Sequence, residues 1–216
     1  QELDSMTNRS GKTYVLGEIA ERTQMHAYFA PAIDYDGGKY GIGLLTKQTP
    51  IRIQTMALPG REEARALIMA EFEDYIYCCT HLSLTEEDRM TSLEMIKNFA
   101  ASAKKPFFLA GDMNAEPQSD FIKGLQKDFQ ILSNPKVPTF PAPKPEETLD
   151  YIVTLKNNAK GFAAISSKVQ DEPVASDHRP LVVTLRTAEK AEKIFRTKPY
   201  WQNPVGNGIT VMWETT

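Results

Sequence analysis

Cysteine is scarce in this chain, and long apolar runs are missing. Only two of the 216 residues are cysteine, and they are neighbours, Cys78 and Cys79. Adjacent side chains leave opposite faces of a strand, so the pair excludes an ordinary disulfide framework, and core packing is the expected role of at least one thiol. No stretch approaches the roughly 20 apolar residues that a membrane-spanning helix needs. The sequence therefore predicts no membrane span.

A surplus of positive charge is also absent. The chain carries 25 Lys and Arg against 28 Asp and Glu, which gives a formal net charge of -3. Domains that bind the nucleic-acid backbone are usually basic overall or carry a basic stripe, so the charge argues against such a protein but leaves room for a local basic patch. A Gly-rich P-loop, a GxSxG elbow and an HExxH helix are missing too, which excludes the common sequence signatures of three hydrolase classes.

Runs of strands with a few helices between them dominate the apolar pattern. Helices are predicted within 13–25, after an N-cap at Thr85 and after a cap at Ser119. Met90, Leu93 and Ile96, with Met95 beside them, have helical spacing and are expected in the core. Strands are predicted at or within 26–30, 34–47, 51–58, 64–74, 75–84, 107–110, 148–155, 163–170 and 179–185. This order is typical of an α+β or α/β layered fold built on two sheets.

The chain divides into three segments by composition. Residues 1–186 are predicted to form one large domain. The charged residues 187–198 are predicted to form a linker. Residues 199–216 predict either the start of a second β-rich domain or an extra strand.

The segment "FFLAGDMNAEP" at 107–117 runs an apolar strand directly into Asp112 and Asn114. Side chains two residues apart point the same way, so this carboxylate and carboxamide should face one spot. Such a pair suits an anionic substrate with a positioned water, or a hard metal ion. Gly, Asp and Asn also fill turns for conformational reasons alone, so the segment by itself leaves both interpretations open.

Polar residues also lie at the ends of other apolar strands. They are His81 after "YIYCCT", Asp150 in "TLDYIV", and the pair Asp177 and His178 just before "RPLVVTL", with Glu2 at the start of the chain. Loops at one edge of a layered fold converge, so these groups could meet in one pocket. Carboxylates with one carboxamide suit Mg²⁺ or Mn²⁺ better than Zn²⁺, and a histidine near a carboxylate can act as a general base. The inventory favours metal-assisted hydrolysis of a phosphate ester.

The ordered motifs "QE" at 1–2, "THL" at 80–82, "GDMN" at 111–114, "LDYI" at 149–152 and "SDHRP" at 176–180 resemble the endonuclease/exonuclease/phosphatase family, the deoxyribonuclease-like superfamily. The resemblance covers roughly residues 1–186. It implies an α/β fold, a four-layered sandwich of two packed, mostly antiparallel sheets flanked by helices. It also implies a phosphoesterase that depends on Mg²⁺ or Mn²⁺.

Roles for individual residues follow from the same resemblance. It implies that Glu2 binds the metal, with a contribution from Asp177, and that Asp112 and Asn114 position the attacking water and the phosphate. His178 would accept a proton from the water or hold a phosphoryl oxygen, and Asp150 would orient its ring. His81 would contact the phosphate or protonate the leaving group.

Substrate-side groups are placed more loosely by the resemblance. Arg9 and Tyr40 match positions where the family binds substrate. Arg65 and Arg89 could also pair with a phosphate, although a charge at a strand edge or on a helix surface is the simpler interpretation of each.

The start of the chain departs from the family pattern. Family members carry an Asn on a first core strand upstream of the "QE" motif, whereas this sequence begins at Gln1. We expect the chain to be a fragment in which that strand is missing and an interior sheet edge is exposed, which puts its activity in question.

The tail "KPYWQNPVGNGITVMWETT" resembles the opening of the fibronectin-like domain that precedes the catalytic domain of purple-acid-type phosphatases. This resemblance implies a second phosphoesterase domain downstream and a secreted or periplasmic protein that scavenges phosphate.

The expected substrate is a phosphate mono- or diester of a small molecule, a lipid head group or a sugar, because the chain is acidic and lacks interleaved basic and aromatic residues. A Mg²⁺-dependent nuclease is the alternative, so nucleic acid is not the favoured partner. A non-catalytic binding module is the second alternative.

Overall fold

The computed structural model describes residues 1–159 and 161–187, and the backbone of 208–213. In these residues it has three helices, α1 (Val15–Thr23), α2 (Glu86–Ala101) and α3 (Asp120–Asp128). The strands are β1 (Leu3–Ser5), β2 (His26–Tyr35), β3 (Gly38–Thr46), β4 (Arg52–Leu58), β5 (Arg65–Glu71), β6 (Ile76–His81), β7 (Phe107–Asp112), β8 (Phe129–Ile131), β9 (Asp150–Leu155), β10 (Phe162–Val169), β11 (Leu181–Thr187) and β12 (Gly208–Trp213). None of the helices in this described part has the length and apolar character that a membrane crossing needs.

A six-stranded sheet in the order β4-β5-β6-β7-β9-β8 forms the centre of the fold. β6 and β7 are parallel, and α2 makes the crossover that a parallel pair requires. Helices α2 and α3 cover one face of this sheet, where their apolar side chains meet those of the strands. The largest buried residues of this core include Leu93, Phe107, Phe121 and Tyr151.

Two three-stranded sheets, β1-β3-β2 and β10-β11-β12, form the second layer. Side chains of β2, β3 and β11 pack on the opposite face of the six-stranded sheet in a second core, which contains Ile42, Ile68, Phe108 and Val183. Helix α1 contacts β1, β2 and β3 from outside. The layers therefore run helix, sheet, sheet, helix, and the predicted four-layered α/β sandwich is confirmed.

Several local predictions are confirmed and one is wrong. Thr85 and Ser119 are the N-cap residues of α2 and α3, and the Ser119 side chain accepts a hydrogen bond from the Ile122 amide. Both cysteines are buried and free. Met90, however, is 36% exposed. The buried face of α2 is instead formed by Asp88, Arg89, Ser92, Leu93, Ile96 and Ala100, because Asp88 and Arg89 bind the loop after β6.

The tail is described only in part. Residues 208–213 form β12, which pairs antiparallel with β11 from Leu181 to Arg186. Apart from Thr187, which ends β11, the predicted linker 187–198 lies outside the described residues, as does the rest of 199–216. The second domain therefore stays a prediction.

Gly111 is the position in the central sheet where a side chain is least tolerable. A Cβ atom there would lie 2.2 Å from the Thr80 carbonyl oxygen of the neighbouring strand. We expect Gly111→Ala to lower the free energy of unfolding by about 3 kcal/mol, because the backbone of a buried sheet cannot shift cheaply. Urea denaturation of purified protein measures this difference.

Gly124→Ala is the matched control for this prediction. Its Cβ would meet only the Leu93 side-chain end at 3.3 Å and that of Met90 at 3.6 Å, and alanine is favoured over glycine inside a helix by about 1 kcal/mol. Equal denaturation midpoints for Gly111→Ala and the parent chain would contradict the predicted clash.

Candidate active site

Three predicted site residues form one row across three neighbouring strands. His81 at the end of β6 is in register with Asp112 at the end of β7, and Asp112 is in register with Asp150 at the start of β9. Residues in register project from the same face of a sheet, so all three side chains converge. They are 7%, 3% and 2% exposed, respectively. The row places two carboxylates and an imidazole in a largely dehydrated position.

His178 reaches this row from the second layer. It lies in the loop before β11, where its amide donates to the Ser176 hydroxyl at 3.1 Å. The loop is held from both sides: the Ala142 amide donates to the Asp177 carbonyl at 2.6 Å, and the Arg179 amide donates to the Thr139 carbonyl at 2.8 Å. These bonds fix the position of the His178 imidazole above the edge of the six-stranded sheet.

His178 and Asp150 form a hydrogen-bonded pair. His178 Nδ1 lies 2.7 Å from Asp150 Oδ2, which is the spacing of a charge-assisted bond. The opposite nitrogen, His178 Nε2, lies 3.8 Å from Asp112 Oδ2, and His81 Nε2 lies 3.5 Å from the same oxygen. Asp112 is therefore placed between two imidazoles, one of which is locked by a second carboxylate.

Asn114 is oriented by two hydrogen bonds. Its amide donates to Asp112 Oδ1 at 2.8 Å, and its side-chain Nδ2 donates to the Leu82 carbonyl at 2.8 Å. The residue has φ of 45°, a left-handed conformation that asparagine tolerates better than most residues. Because Nδ2 is used by the protein, Oδ1 is the end of the amide left to contact a ligand.

The electrostatics of the site shift the pKa values of Asp112, His178 and His81 in different ways. Burial raises the pKa of Asp112 to about 7, and the neighbouring charge of Asp150 contributes, while His178 opposes the rise. Burial acts to lower the pKa of His178, but the hydrogen bond and charge of Asp150 raise it to about 9. Burial, assisted by the charge of Arg65, holds the pKa of His81 well below its usual value. At neutral pH His178 is thus a cation and His81 a neutral imidazole.

Phe140 is a site residue that sequence reasoning missed. Its ring centroid lies 4.7 Å from that of His178 at an interplanar angle of 44°. The Phe140 ring packs against the imidazole whose Nδ1 is bonded to Asp150, so it helps to hold that ring in place. The only sequence signal is an aromatic residue in the Pro-rich loop before β9, which composition alone would assign to packing.

Glu2, Tyr40 and Arg9 form a second group beside the row. The Tyr40 hydroxyl hydrogen-bonds the Glu2 carboxylate, and burial and this carboxylate raise the pKa of Tyr40. The negative charge of Glu2 also acts on Asp112. The Arg9 guanidinium lies over the Tyr40 ring, 5.5 Å from its centroid. The predicted substrate-side residues are therefore connected to the predicted metal residue.

Sequence comparison provides the remaining evidence on identity. The sequence model of the Endonuclease/Exonuclease/phosphatase family matches residues 1–178. The chain belongs to this family. No curated protein matches the chain in sequence.

Several solved structures share the fold at low sequence identity. The chain is similar to a mannosyl-6-phosphatase of Bacteroides thetaiotaomicron, with 14% identity and a TM-score of 0.62 over 79% of this chain and 80% of that one. It is also similar to a humanized D. rerio TDP2, with 16% identity, a TM-score of 0.64 and coverage of 87% and 84%. The catalytic domain of human Nocturnin with bound sulfate gives 19% identity, a TM-score of 0.58 and coverage of 79% and 75%.

The family fold makes a divalent ion an expected component, and the donor set fits one. Ligand atoms of Asp112, Asp150 and His178 all lie within 4.8 Å of one another, and the two carboxylates are the donors available to an ion because His178 is protonated and bonded to Asp150. Asp150 Oδ1 is buried and has no hydrogen-bond partner in the described part of the chain. A buried acceptor without a donor, next to a second buried carboxylate, is compensated most simply by a cation. Oxygen donors suit Mg²⁺ or Mn²⁺.

Three predicted or considered residues lie apart from this centre. Asp177 precedes His178 but is exposed, and it acts on the His178 ring only through its charge. Arg65 and Arg89, expected as surface charges, are both buried. The reason is specific bonding: Arg65 pairs with Glu62 and Glu63, and Arg89 donates to backbone carbonyls of the loop after β6.

Proposed function

We propose that this chain is a Mg²⁺- or Mn²⁺-dependent phosphoesterase that hydrolyses a phosphate mono- or diester with activated water. The observation that carries the proposal is the row of His81, Asp112 and Asp150 capped by His178 from the opposite layer. Membership of the family supports the same class of reaction.

In the proposed reaction Asp112 accepts the proton of the attacking water. A general base works best when its pKa is close to the working pH, and burial brings the pKa of Asp112 to about 7. Asn114 Oδ1 positions the same water, because the Asn114 backbone N–H donates to Asp112 and its side-chain Nδ2 donates to the Leu82 carbonyl.

The protonated His178 binds a phosphoryl oxygen through Nε2, since Nδ1 is used by Asp150. Asp150 thus acts as a positioning residue that fixes the tautomer and the orientation of the ring. His81 is neutral because it is buried, and it donates a hydrogen bond to the phosphate or to the leaving-group oxygen.

Glu2 is proposed as the main metal ligand, with Asp112 next to it and Asp177 contributing charge. A divalent ion held there would neutralise charge that develops on the phosphoryl or leaving oxygens. Tyr40, which hydrogen-bonds Glu2, fixes the carboxylate in place.

A small phosphate ester is the proposed substrate, and a nuclease is the alternative. The guanidinium groups of Arg9 and Arg65 are already paired with Asp4, Glu62 and Glu63, so neither adds net positive charge for a polyanionic strand. Among the structural neighbours are the mannosyl-6-phosphatase and ANGEL2, a 2',3'-cyclic phosphatase. The first is named for a sugar phosphate, which supports this choice.

Phosphate release tests the proposal. The chain is incubated with p-nitrophenyl phosphate and with bis-p-nitrophenyl phosphate, in Mg²⁺, in Mn²⁺ and in EDTA. We expect turnover that EDTA abolishes and added metal restores. Turnover unchanged by EDTA would contradict metal dependence, and a folded protein that hydrolyses neither ester would favour the binding module. Salt-sensitive nicking of plasmid DNA, faster than either ester, would favour the nuclease.

The pH dependence of kcat/KM should be bell-shaped. Activity needs Asp112 deprotonated, so it rises with pH as Asp112 loses its proton. Burial and the neighbouring charge of Asp150 place the pKa of Asp112 at about 7, and the metal that turnover requires moves this limb to lower pH. Activity also needs His178 protonated, so it falls as pH passes about 9. A rate that keeps rising above this pH would contradict the cationic role of His178.

The parent protein is proposed to carry a second phosphoesterase domain after residue 216 and to be secreted or periplasmic. The support is the resemblance of the tail at 198–216 to a phosphatase-associated fibronectin-like domain. Recovery of the downstream sequence without a di-metal phosphatase domain would contradict it.

A further inference from the structure

Beside the catalytic row lies a small aromatic surface, here called the Tyr35 platform and defined by Tyr35, Arg9 and Tyr40. The two tyrosine rings are 5.7 Å apart between centroids and inclined by 47°. The Arg9 guanidinium lies over both rings, 4.7 Å from the centroid of Tyr35 and 5.5 Å from that of Tyr40. Tyr35 is 41% exposed, so an aromatic ring remains available to solvent.

The charge of Arg9 is cancelled within this platform. Its Nε donates to Asp4 Oδ2 at 2.6 Å and its Nη2 donates to Asp4 Oδ1 at 2.9 Å. This two-bond fork uses both carboxylate oxygens and satisfies one edge of the guanidinium. The platform is therefore electrically neutral although it contains an arginine.

The platform is held rigidly by the loop and the hairpin on which it lies. Asp36, at the turn between β2 and β3, accepts from the Arg9 amide at 2.7 Å and from Asn8 Nδ2 at 3.1 Å. Lys12 Nζ donates to the Gly37 carbonyl at 3.1 Å. A surface fixed in this way loses little conformational entropy when it binds a ligand.

Tyr40 connects the platform to the catalytic centre. Asp4 is directly opposite Tyr40 in the pairing of β1 with β3, so both side chains project from one face. The Tyr40 hydroxyl reaches the Glu2 carboxylate. A molecule with its phosphoryl group near Glu2 and Asp112 would extend its remaining part along Tyr40 toward Tyr35.

We propose that the Tyr35 platform binds the leaving group of the substrate and that this group is an uncharged sugar ring. The inference rests on the proposed phosphoesterase function and narrows it to sugar phosphates. A sugar ring has an apolar C–H face that can cover an aromatic ring, and hydroxyls at its edge that can bond the Arg9–Asp4 pair. A second phosphate finds no unpaired cation in the platform, because Asp4 neutralises Arg9. An acyl chain would leave the Arg9–Asp4 edge without hydrogen bonds.

Kinetics on three esters test the platform. Phosphate release is measured from hexose 6-phosphate, from glycerol 2-phosphate and from hexose 1,6-bisphosphate, for the parent chain, Tyr35→Ala and Tyr35→Phe. Tyr35→Ala should lower kcat/KM for hexose 6-phosphate about tenfold, which is the scale of one aromatic contact. It should leave kcat/KM for glycerol 2-phosphate within about twofold of the parent's value, since that acyclic leaving group does not reach Tyr35.

Tyr35→Phe keeps the ring and loses only the hydroxyl, which is 3.5 Å from Arg9 Nη1. It should retain the parent's kcat/KM with hexose 6-phosphate. An equal loss on both monophosphates in Tyr35→Ala, or a tenfold preference of the parent for the bisphosphate, would overturn the assignment.

Binding without turnover separates this inference from the proposed function. Saturation-transfer NMR in EDTA should show contact to the hexose ring protons of hexose 6-phosphate with the parent and Tyr35→Phe, and its loss in Tyr35→Ala. Ring contact without hydrolysis of any ester in metal would retain the sugar site while the phosphoesterase proposal fails. Hydrolysis of glycerol 2-phosphate without ring contact would retain the enzyme and overturn the sugar site.

Discussion

Replacement of His178 by alanine is expected to lower kcat for p-nitrophenyl phosphate by about 10³-fold or more. The substitution removes a cationic side chain that contacts both buried carboxylates, at 2.7 Å from Asp150 and 3.8 Å from Asp112. Without it the phosphoryl oxygens lose a hydrogen-bond donor, and Asp150 is left buried without a partner. Steady-state rates in saturating metal measure the effect.

His26→Ala is the matched control, because His26 is exposed on β2 and its recorded side-chain bond is to Thr49 at 3.2 Å. It should leave kcat within about twofold. Circular dichroism should show both variants folded. A folded His178→Ala protein with the parent's kcat would contradict the assignment of the catalytic row.

Asp150→Asn is expected to lower kcat by a similar factor, about 10³-fold, while it preserves the shape of the side chain. Asparagine carries no charge, so it cannot hold the pKa of His178 at about 9, and it can present a donor to Nδ1 where an acceptor is needed. The alkaline limb of the pH profile should move down toward the ordinary histidine pKa. Rates across pH 6 to 10, roughly the span of the two titrations, show both changes.

A double variant, Asp150→Asn with His178→Ala, tests whether Asp150 acts only by positioning His178. Because Asp150 acts through His178, adding Asp150→Asn to His178→Ala should slow the reaction by no more than about threefold further. Asp120→Asn is the control for loss of a carboxylate, because Asp120 is exposed on α3 with Lys123 as its partner. A multiplicative loss in the double variant would mean that Asp150 has a role of its own.

The positions where strands end could be predicted from the sequence, but the register between neighbouring strands could not. A polar residue beside an apolar run identifies His81, Asp112 and Asp150 as strand-end groups. That they form one row depends on hydrogen bonding between strands far apart in the chain, such as the Asp112 to Asp150 pairing of β7 with β9. Periodicity within a single strand carries no such information.

Side-chain partnerships account for the remaining differences. On α2, Leu93 and Ile96 are buried as predicted, but Met90 is exposed and Arg89 is buried, because Arg89 satisfies the Ser83 and Leu84 carbonyls after β6. Hydrophobic spacing predicts where apolar residues would be favourable and does not record which carbonyls need donors. Phe140 was missed for a similar reason, since its contact with His178 is made by a loop.

Hydrolysis in ¹⁸O-labelled water tests the central claim most directly. One turnover of a phosphate ester in metal is followed by mass analysis of the phosphate and the alcohol. If Asp112 activates a water that attacks the phosphorus of the phosphoryl group bound by His178, the phosphate will carry one labelled oxygen and the alcohol none. Label in the alcohol, or no turnover by the folded chain with metal present, would contradict it.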